Sequence, residues 1–232
     1  MGNNLRFAFH RTVPIMIGFF PLGIAYGVLM ENAGYNFTWT FFCSVIVLSG
    51  SLQYLMLTFF AGGISLITVL VMAMLLNSRH LFYGISFIDQ FKSYGPWKYF
   101  MIYGLADENY SLLCAYNHEE GLDDKKVNTF SSLLVVLYWV IFSTLGGLIG
   151  PLITFNTTGI DFALTALFIV IVLDQLKDAD TKLPAILAAG SSLLCLALLG
   201  PDNFLLPSLL VTVGLLVLFR SRLERTEKEA AK

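Results

Sequence analysis

Eight apolar stretches follow one another with little between them, at about residues 12–30, 37–60, 64–88, 99–116, 130–150, 160–176, 184–199 and 204–219 of a 232-residue chain. Several approach the roughly 17–25 residues that carry a helix across about 30 Å of hydrocarbon; the last two are shorter. Backbone groups in lipid must satisfy one another, so the stretches are expected as helices. Composition agrees: 56% of residues are hydrophobic and 13% charged, where a soluble domain has roughly 25% charged. The expected fold is therefore an all-α polytopic transmembrane helical bundle of six to eight spans. Residues 1–219 are read as a single membrane domain and 220–232 as a charged cytoplasmic tail. A soluble enzyme, a nucleic-acid binder and a secreted disulfide scaffold are all disfavoured.

Charge placement says more than the net value of −2. With eight crossings, one side holds Arg6, Arg11, Lys125, Lys126, Lys177, Lys182, Arg220, Arg222, Arg225, Lys228 and Lys232. The other holds Arg79, Lys92 and Lys98. The positive-inside rule then puts both termini in the cytoplasm. The three misfits all fall between residues 79 and 98, which warns of a re-entrant or broken segment there. Arg6 and Arg11 before an apolar run resemble a signal peptide, but no small-residue cleavage site follows, so the run reads as a retained first span. Cys43, Cys114 and Cys195 lie far apart in apolar sequence and read as small hydrophobes; no metal site or cofactor is expected.

The interruptions concentrate in the N-terminal half, where discontinuous helices are expected. Ser49-Gly50-Ser51-Leu52-Gln53 breaks the second stretch. A helix restarting there exposes N–H groups that attract an anion such as a carboxylate, to which the serine hydroxyls and the Gln53 amide add donors. The same small residues could equally serve close helix packing. Gly23-x-x-x-Gly27, enclosing Tyr26 and preceded by Pro21, allows a close helix contact or a kink opening carbonyls to a cavity; Gly146 and Gly150 repeat the spacing, as packing. Asn77-Ser78-Arg79-His80 has no Gly or Pro nearby, which favours an uninterrupted helix carrying a buried Arg79, although snorkelling to the interface is the alternative. His80 is a candidate to carry a proton near neutral pH. Asp107-Glu108-Asn109 sits inside the fourth stretch: one carboxylate could hold an ammonium or a coupling proton and another pair with Arg79, or the segment could be two short helices. Asp174 and Gln175 read as interfacial.

No phosphate-binding loop, zinc-protease motif, nucleophile elbow or potassium filter is present. The set Pro21-Leu22-Gly23-x-x-Tyr26-Gly27, Ser49-Gly50-Ser51-Leu52-Gln53-Tyr54, Asn77-Ser78-Arg79-His80-Leu81-Phe82-Tyr83-Gly84 and Tyr103-Gly104-Leu105-Ala106-Asp107-Glu108 resembles the AzlC family, large subunits of bacterial branched-chain amino acid exporters. The likeness covers roughly residues 10–200. It implies export of valine, leucine and isoleucine across the bacterial inner membrane, a small AzlD-like membrane subunit as partner and the proton gradient as energy source. Onto its motifs fall the candidate substrate ligands Tyr26, Ser49, Gly50, Ser51, Gln53, Arg79, Asp107 and Glu108, with His80, Asp107 and Glu108 as candidates for proton coupling. The rival expectations are a scaffold subunit that does not transport and a channel for another small solute.

Overall fold

The structure, a computed structural model, describes residues 2–60, 62–116, 118, 120–152, 182–201 and 204–230, with 162, 169, 172, 173 and 176 between them. Every regular element among the described residues is helical. The first of two compact units comprises residues 1–63 and 76–165. It is built on α1 (Gly2–Asn32) and α7 (Asp124–Ile149, with a 3-10 turn to Leu152), joined by the second half of α4 (Leu66–Lys92). These three helices are long and apolar enough to cross a membrane.

α1 runs without interruption through Pro14 and Pro21. It ends where Gly34 adopts φ +87°, a left-handed conformation that frees the Tyr35 N–H to reach the Met30 carbonyl at 2.9 Å. α1 and α7 are parallel neighbours. Arg11 donates to Asn128 near their starts, and the two Gly-x-x-x-Gly spacings meet further on. A β-carbon on Gly27 would lie 2.1 Å from the Ser143 carbonyl oxygen, and one on Gly146 2.3 Å from that of Ile24. The spacing is thus packing, with backbone against backbone.

The stretches at 37–60 and 99–116 do not cross. The first divides into α2 (Phe37–Ile46) and α3 (Gly50–Phe60), each about 15 Å long at 1.5 Å per residue, half the hydrocarbon thickness. Asn36 starts α2, its side chain accepting from the Thr38 and Trp39 N–H groups. α2 descends α7, with Phe37 and Thr40 against Gly147 and Ser44 bonded to Ser143 at 2.7 Å. α3 then climbs back until Phe60 packs on Tyr35, ring centroids 4.6 Å apart. The second divides into α5 (Trp97–Tyr103) and α6 (Asp107–Cys114). It leaves from the end where Lys125 donates to the Ser93 carbonyl and returns there, Arg11 capping the Leu112 carbonyl and lying over the Tyr116 ring. Phe87, Phe91, Tyr94, Met101, Leu105 and Leu113 form its core against α4. Two helical hairpins thus enter the unit from opposite ends.

This geometry removes the charge conflict seen in the sequence. Lys92 and Lys98 sit beside or within the hairpin that starts near Lys125, at the end that also holds Arg6, Arg11 and Lys126. The opposite end, at residues 33–36, 62–63 and 150–152, has no Lys or Arg among the described residues. Arg79 lies between the ends. At the basic end Asp123 caps α7, and hydrogen bonds from the Lys126 side chain and N–H hold its carboxyl below the usual carboxylate range. His118 and Asp124 pair beside it at 2.9 Å, both exposed.

The second unit, residues 64–75 and 166–232, contains α8 (Leu183–Leu199) and α9 (Leu205–Ala230), bonded through Ser191 and Thr212 at 2.6 Å. The helix continues through the charged tail to Ala230. Asp174 and Gln175 lie outside the described residues. The three cysteines are free; Cys195 is buried and Cys43 partly so, but Cys114 is exposed.

Candidate functional site

The tip of the first hairpin is the non-helical run Val47-Leu48-Ser49. Ser49 caps the restart, its hydroxyl accepting from the Leu52 N–H at 3.4 Å and its carbonyl from the Gln53 N–H at 2.9 Å. The break therefore falls two residues before the centre of the Ser-Gly-Ser motif, and Gly50 and Ser51 form the first turn of α3. First-turn N–H groups have no acceptor within their own helix. Gln53 is wholly buried; its Nε2 donates to the Val47 carbonyl and, at 3.4 Å, to that of Cys43, while its Oε1 accepts from Trp139 Nε1 at 2.9 Å. Tyr26 is also wholly buried, packed between Tyr54 and Trp139. Tyr54 donates to the Leu22 carbonyl at 2.6 Å, tying the hairpin to α1.

The tip of the second hairpin is Gly104-Leu105-Ala106. Tyr103 at its edge donates to the Val45 carbonyl, so the two tips touch. α4 is continuous through Asn77-Ser78-Arg79-His80 and presents Arg79 to both. One guanidinium nitrogen donates to Ser51 Oγ and to Asp107 Oδ2, each at 2.8 Å. The other Asp107 oxygen accepts from the Tyr83 hydroxyl at 2.7 Å. Arg79 is held inside the unit, its side chain 22% exposed, not turned to an interface. Of the two acidic residues it takes Asp107; Glu108, half-buried next along α6, makes no ion pair among the described residues. His80 donates from Nδ1 to the Asn77 carbonyl at 3.3 Å, since a carbonyl can only accept. Its Nε2, and Nε of Arg79, are buried with no hydrogen-bond partner among the described residues.

The arrangement gathers a cation, a carboxylate, hydroxyls and two helix starts within one network, with donor and acceptor capacity left over. Such a set matches a small zwitterion, one end to each charge. Ser49, Gly50, Ser51, Arg79, Asp107 and Glu108 come to this network or beside it. His80 follows Arg79 on α4 and packs on Tyr83. Tyr26 and Gln53 sit wholly buried beside Trp139. Sequence reading overlooked Tyr83 as a ligand of Asp107, although its spacing of four from Arg79 puts both on one helix face. It also overlooked Trp139, in a stretch read as plain apolar helix, where the signal was that a buried indole N–H needs an acceptor.

Residues 14–153, which hold all of these groups, match the AzlC protein family. The chain is 36% identical over 222 residues to a Bacillus subtilis protein named branched-chain amino acid transport protein AzlC, covering 96% of this chain and 87% of that one. A Helicobacter pylori membrane protein is 34% identical, covering 94% of this chain and 95% of its own. One from Haemophilus influenzae is 30% identical over 94% and 89%. No solved structure matches. The chain belongs to the AzlC family of membrane transport proteins.

Proposed function

We propose that this protein exports branched-chain amino acids from the bacterial cytoplasm as the large subunit of a secondary transporter in the inner membrane. A small AzlD-like membrane subunit is its partner, the proton gradient drives it, and both termini are cytoplasmic. The observation that carries the reading is Arg79 shared between Ser51 at the start of α3 and Asp107 at the start of α6. Binding sites at the starts of discontinuous helices near the bilayer centre are the recurrent solution of secondary transporters. The substrate carboxylate goes to Arg79 and the first-turn N–H groups of α3, with Ser49, Gly50 and Ser51 around it. Its ammonium goes to Asp107 or Glu108. Arg79 and Asp107 neutralise one another, which spares the unit an unpaired buried charge. Leu52 and Leu105 beside the tips supply apolar contact for a branched side chain. Tyr26 and Gln53 support the first tip from behind. His80, Asp107 and Glu108 are the groups available to carry the coupling proton. The basic end of the first unit supports the cytoplasmic placement of the N-terminus.

Proteoliposomes holding the chain and its small partner test this. Labelled valine is expected to move saturably and to respond to an imposed pH gradient. Background movement would make the chain a scaffold; flux that neither saturates nor responds to pH would make it a channel.

A further inference from the structure

The two hairpin tips are built alike. Leu48-Ser49-Gly50-Ser51-Leu52-Gln53-Tyr54 at the first tip and Leu105-Ala106-Asp107-Glu108-Asn109-Tyr110 at the second share a pattern: a leucine, a small residue that precedes the helix, then an amide followed by a tyrosine. The second is one residue shorter. In both, the amide lies in the first turns of the returning helix and is buried, Gln53 fully and Asn109 at 1% exposure. Both reach back across the break. Gln53 Nε2 donates to the carbonyl of Val47, and Asn109 Nδ2 to the carbonyl of Gly104. Those carbonyls lie where the incoming helix has ended, so the helix ladder no longer supplies their usual donors. The tyrosines are pinned as well: Tyr54 bonds the Leu22 carbonyl of α1, and Tyr110 stacks at 4.2 Å on Tyr83 of α4, the residue that holds Asp107.

We propose that Gln53 and Asn109 are matched positioning residues, each clamping one hairpin tip shut across its break so that the starts of α3 and α6 stay at the spacing Arg79 bridges. The clamp is specific to an amide. A carboxylate of the same shape has no hydrogen to give and would face a carbonyl with like polarity; an aliphatic side chain fills the space but withdraws the donor that bridges the break, leaving the Gly104 carbonyl only the Ala106 N–H. The first clamp has a brace the second lacks. Trp139 holds the Gln53 oxygen, and the Trp139 ring lies close enough to Gly50 that a β-carbon there would be 3.4 Å away. α7 thereby fixes the first tip. Neither amide touches substrate in this scheme; each acts through the residues it places. The proposal builds on the transport reading for its kinetic consequence, but not for its structural one.

The test has two arms on the full chain. In lipid nanodiscs, amide hydrogen exchange of peptides covering 43–53 and 104–110 is followed for wild type, Gln53→Glu, Gln53→Leu and Asn109→Leu. Each substitution is expected to speed exchange at least fivefold at its own tip, with Glu no better than Leu at position 53. In the reconstituted transporter, the same variants are expected to raise the KM for valine at least tenfold while the quantity of folded protein, by size-exclusion profile, stays near wild type. Trp139→Phe keeps an aromatic ring at this place while removing the indole N–H and the part of the ring that packs on Gly50; a rise in KM of about threefold is expected from it, and it tests the clamp if a Gln53 variant does not fold. Wild-type exchange at the tips, or an unchanged KM in Trp139→Phe and Asn109→Leu, would overturn the assignment. If wild type itself moves no valine, the transport reading fails while the exchange arm still decides the clamp.

Discussion

Asp107→Asn is expected to cut valine export at least tenfold, and Arg79→Gln to do the same. Removing Asp107's charge leaves the Arg79 guanidinium 22% exposed in an apolar unit, with Ser51 and an amide as its hydrogen-bond partners among the described residues. Charge-assisted hydrogen bonds contribute about 1.5–3 kcal/mol each, and a tenfold change is about 1.4 kcal/mol, so one lost bond is sufficient. A single variant cannot separate a binding role from a structural one, because an unpaired buried charge also destabilises the fold. The double variant Arg79→Gln with Asp107→Asn can. It restores neutrality and allows an amide–amide bond, so folded yield is expected to recover towards wild type. Export is expected to stay at background, since neither end of a zwitterion then finds its counter-charge. Recovery of export along with yield would reduce the pair to a structural tie between α4 and α6. Glu108→Gln is the companion measurement. A mechanism in which Glu108 carries the coupling proton predicts that valine still exchanges across the membrane while a pH gradient no longer drives net flux.

Much of this candidate site was legible in the sequence. The break near Ser49, the continuous helix through Arg79 and the pairing of Arg79 with an acidic residue in the fourth stretch all follow from rules of low dielectric: breaks need polar partners, and buried charges need opposite ones. What the sequence did not disclose was direction. A stretch of 24 residues at 37–60 has the length of a span whether it crosses or folds back at its middle. Hydropathy counts residues and is blind to a reversal at Val47-Leu48-Ser49. A trace was the charge conflict at Lys92 and Lys98, which the two reversals resolve together: the first brings Lys92 and Lys98 to the basic end, and the second, at Gly104-Leu105-Ala106, keeps Lys125 there. Tyr26 and Gln53 show the complementary limit. Their residue types advertise hydrogen-bonding capacity, but only the fold reveals that the Gln53 amide is already engaged by Val47 and Trp139. Pro14 and Pro21 likewise leave backbone groups without their usual partners, yet α1 continues through both.

The largest effect on stability is expected from Gly27→Leu or Gly146→Leu, and a marked one even from alanine at either position. An added β-carbon at Gly27 would sit 2.1 Å from the Ser143 carbonyl oxygen and 2.3 Å from the Gly147 nitrogen; at Gly146 it would sit 2.3 Å from the Ile24 oxygen. These obstacles are backbone, with no rotamer to move aside, so α1 and α7 must separate. Overpacking of this kind costs typically 1–3 kcal/mol and occasionally more, and a helix pair in lipid has only its packing and hydrogen bonds to hold it together. For a chain of this size about 3 kcal/mol corresponds to a fall in melting temperature of roughly 6–12 °C, measurable in detergent by thermal-shift assay. Gly18→Ala is the internal control: it lies on the same helix with nothing within 4 Å of an added β-carbon, and should melt with wild type. Gly147→Ala probes a different contact, because its obstacles are Phe37 and Thr40 of the first hairpin at 3.0–3.2 Å. The consequence reaches the site through named bonds. Parting α1 from α7 draws the Leu22 carbonyl, and with it Tyr54, away from Trp139 and Ser143, which hold Gln53 and Ser44. Export is therefore expected to fall in Gly27→Ala even at temperatures where the protein stays folded. A variant that melted early yet exported normally below its transition would mean that the first tip takes its position from α7 alone.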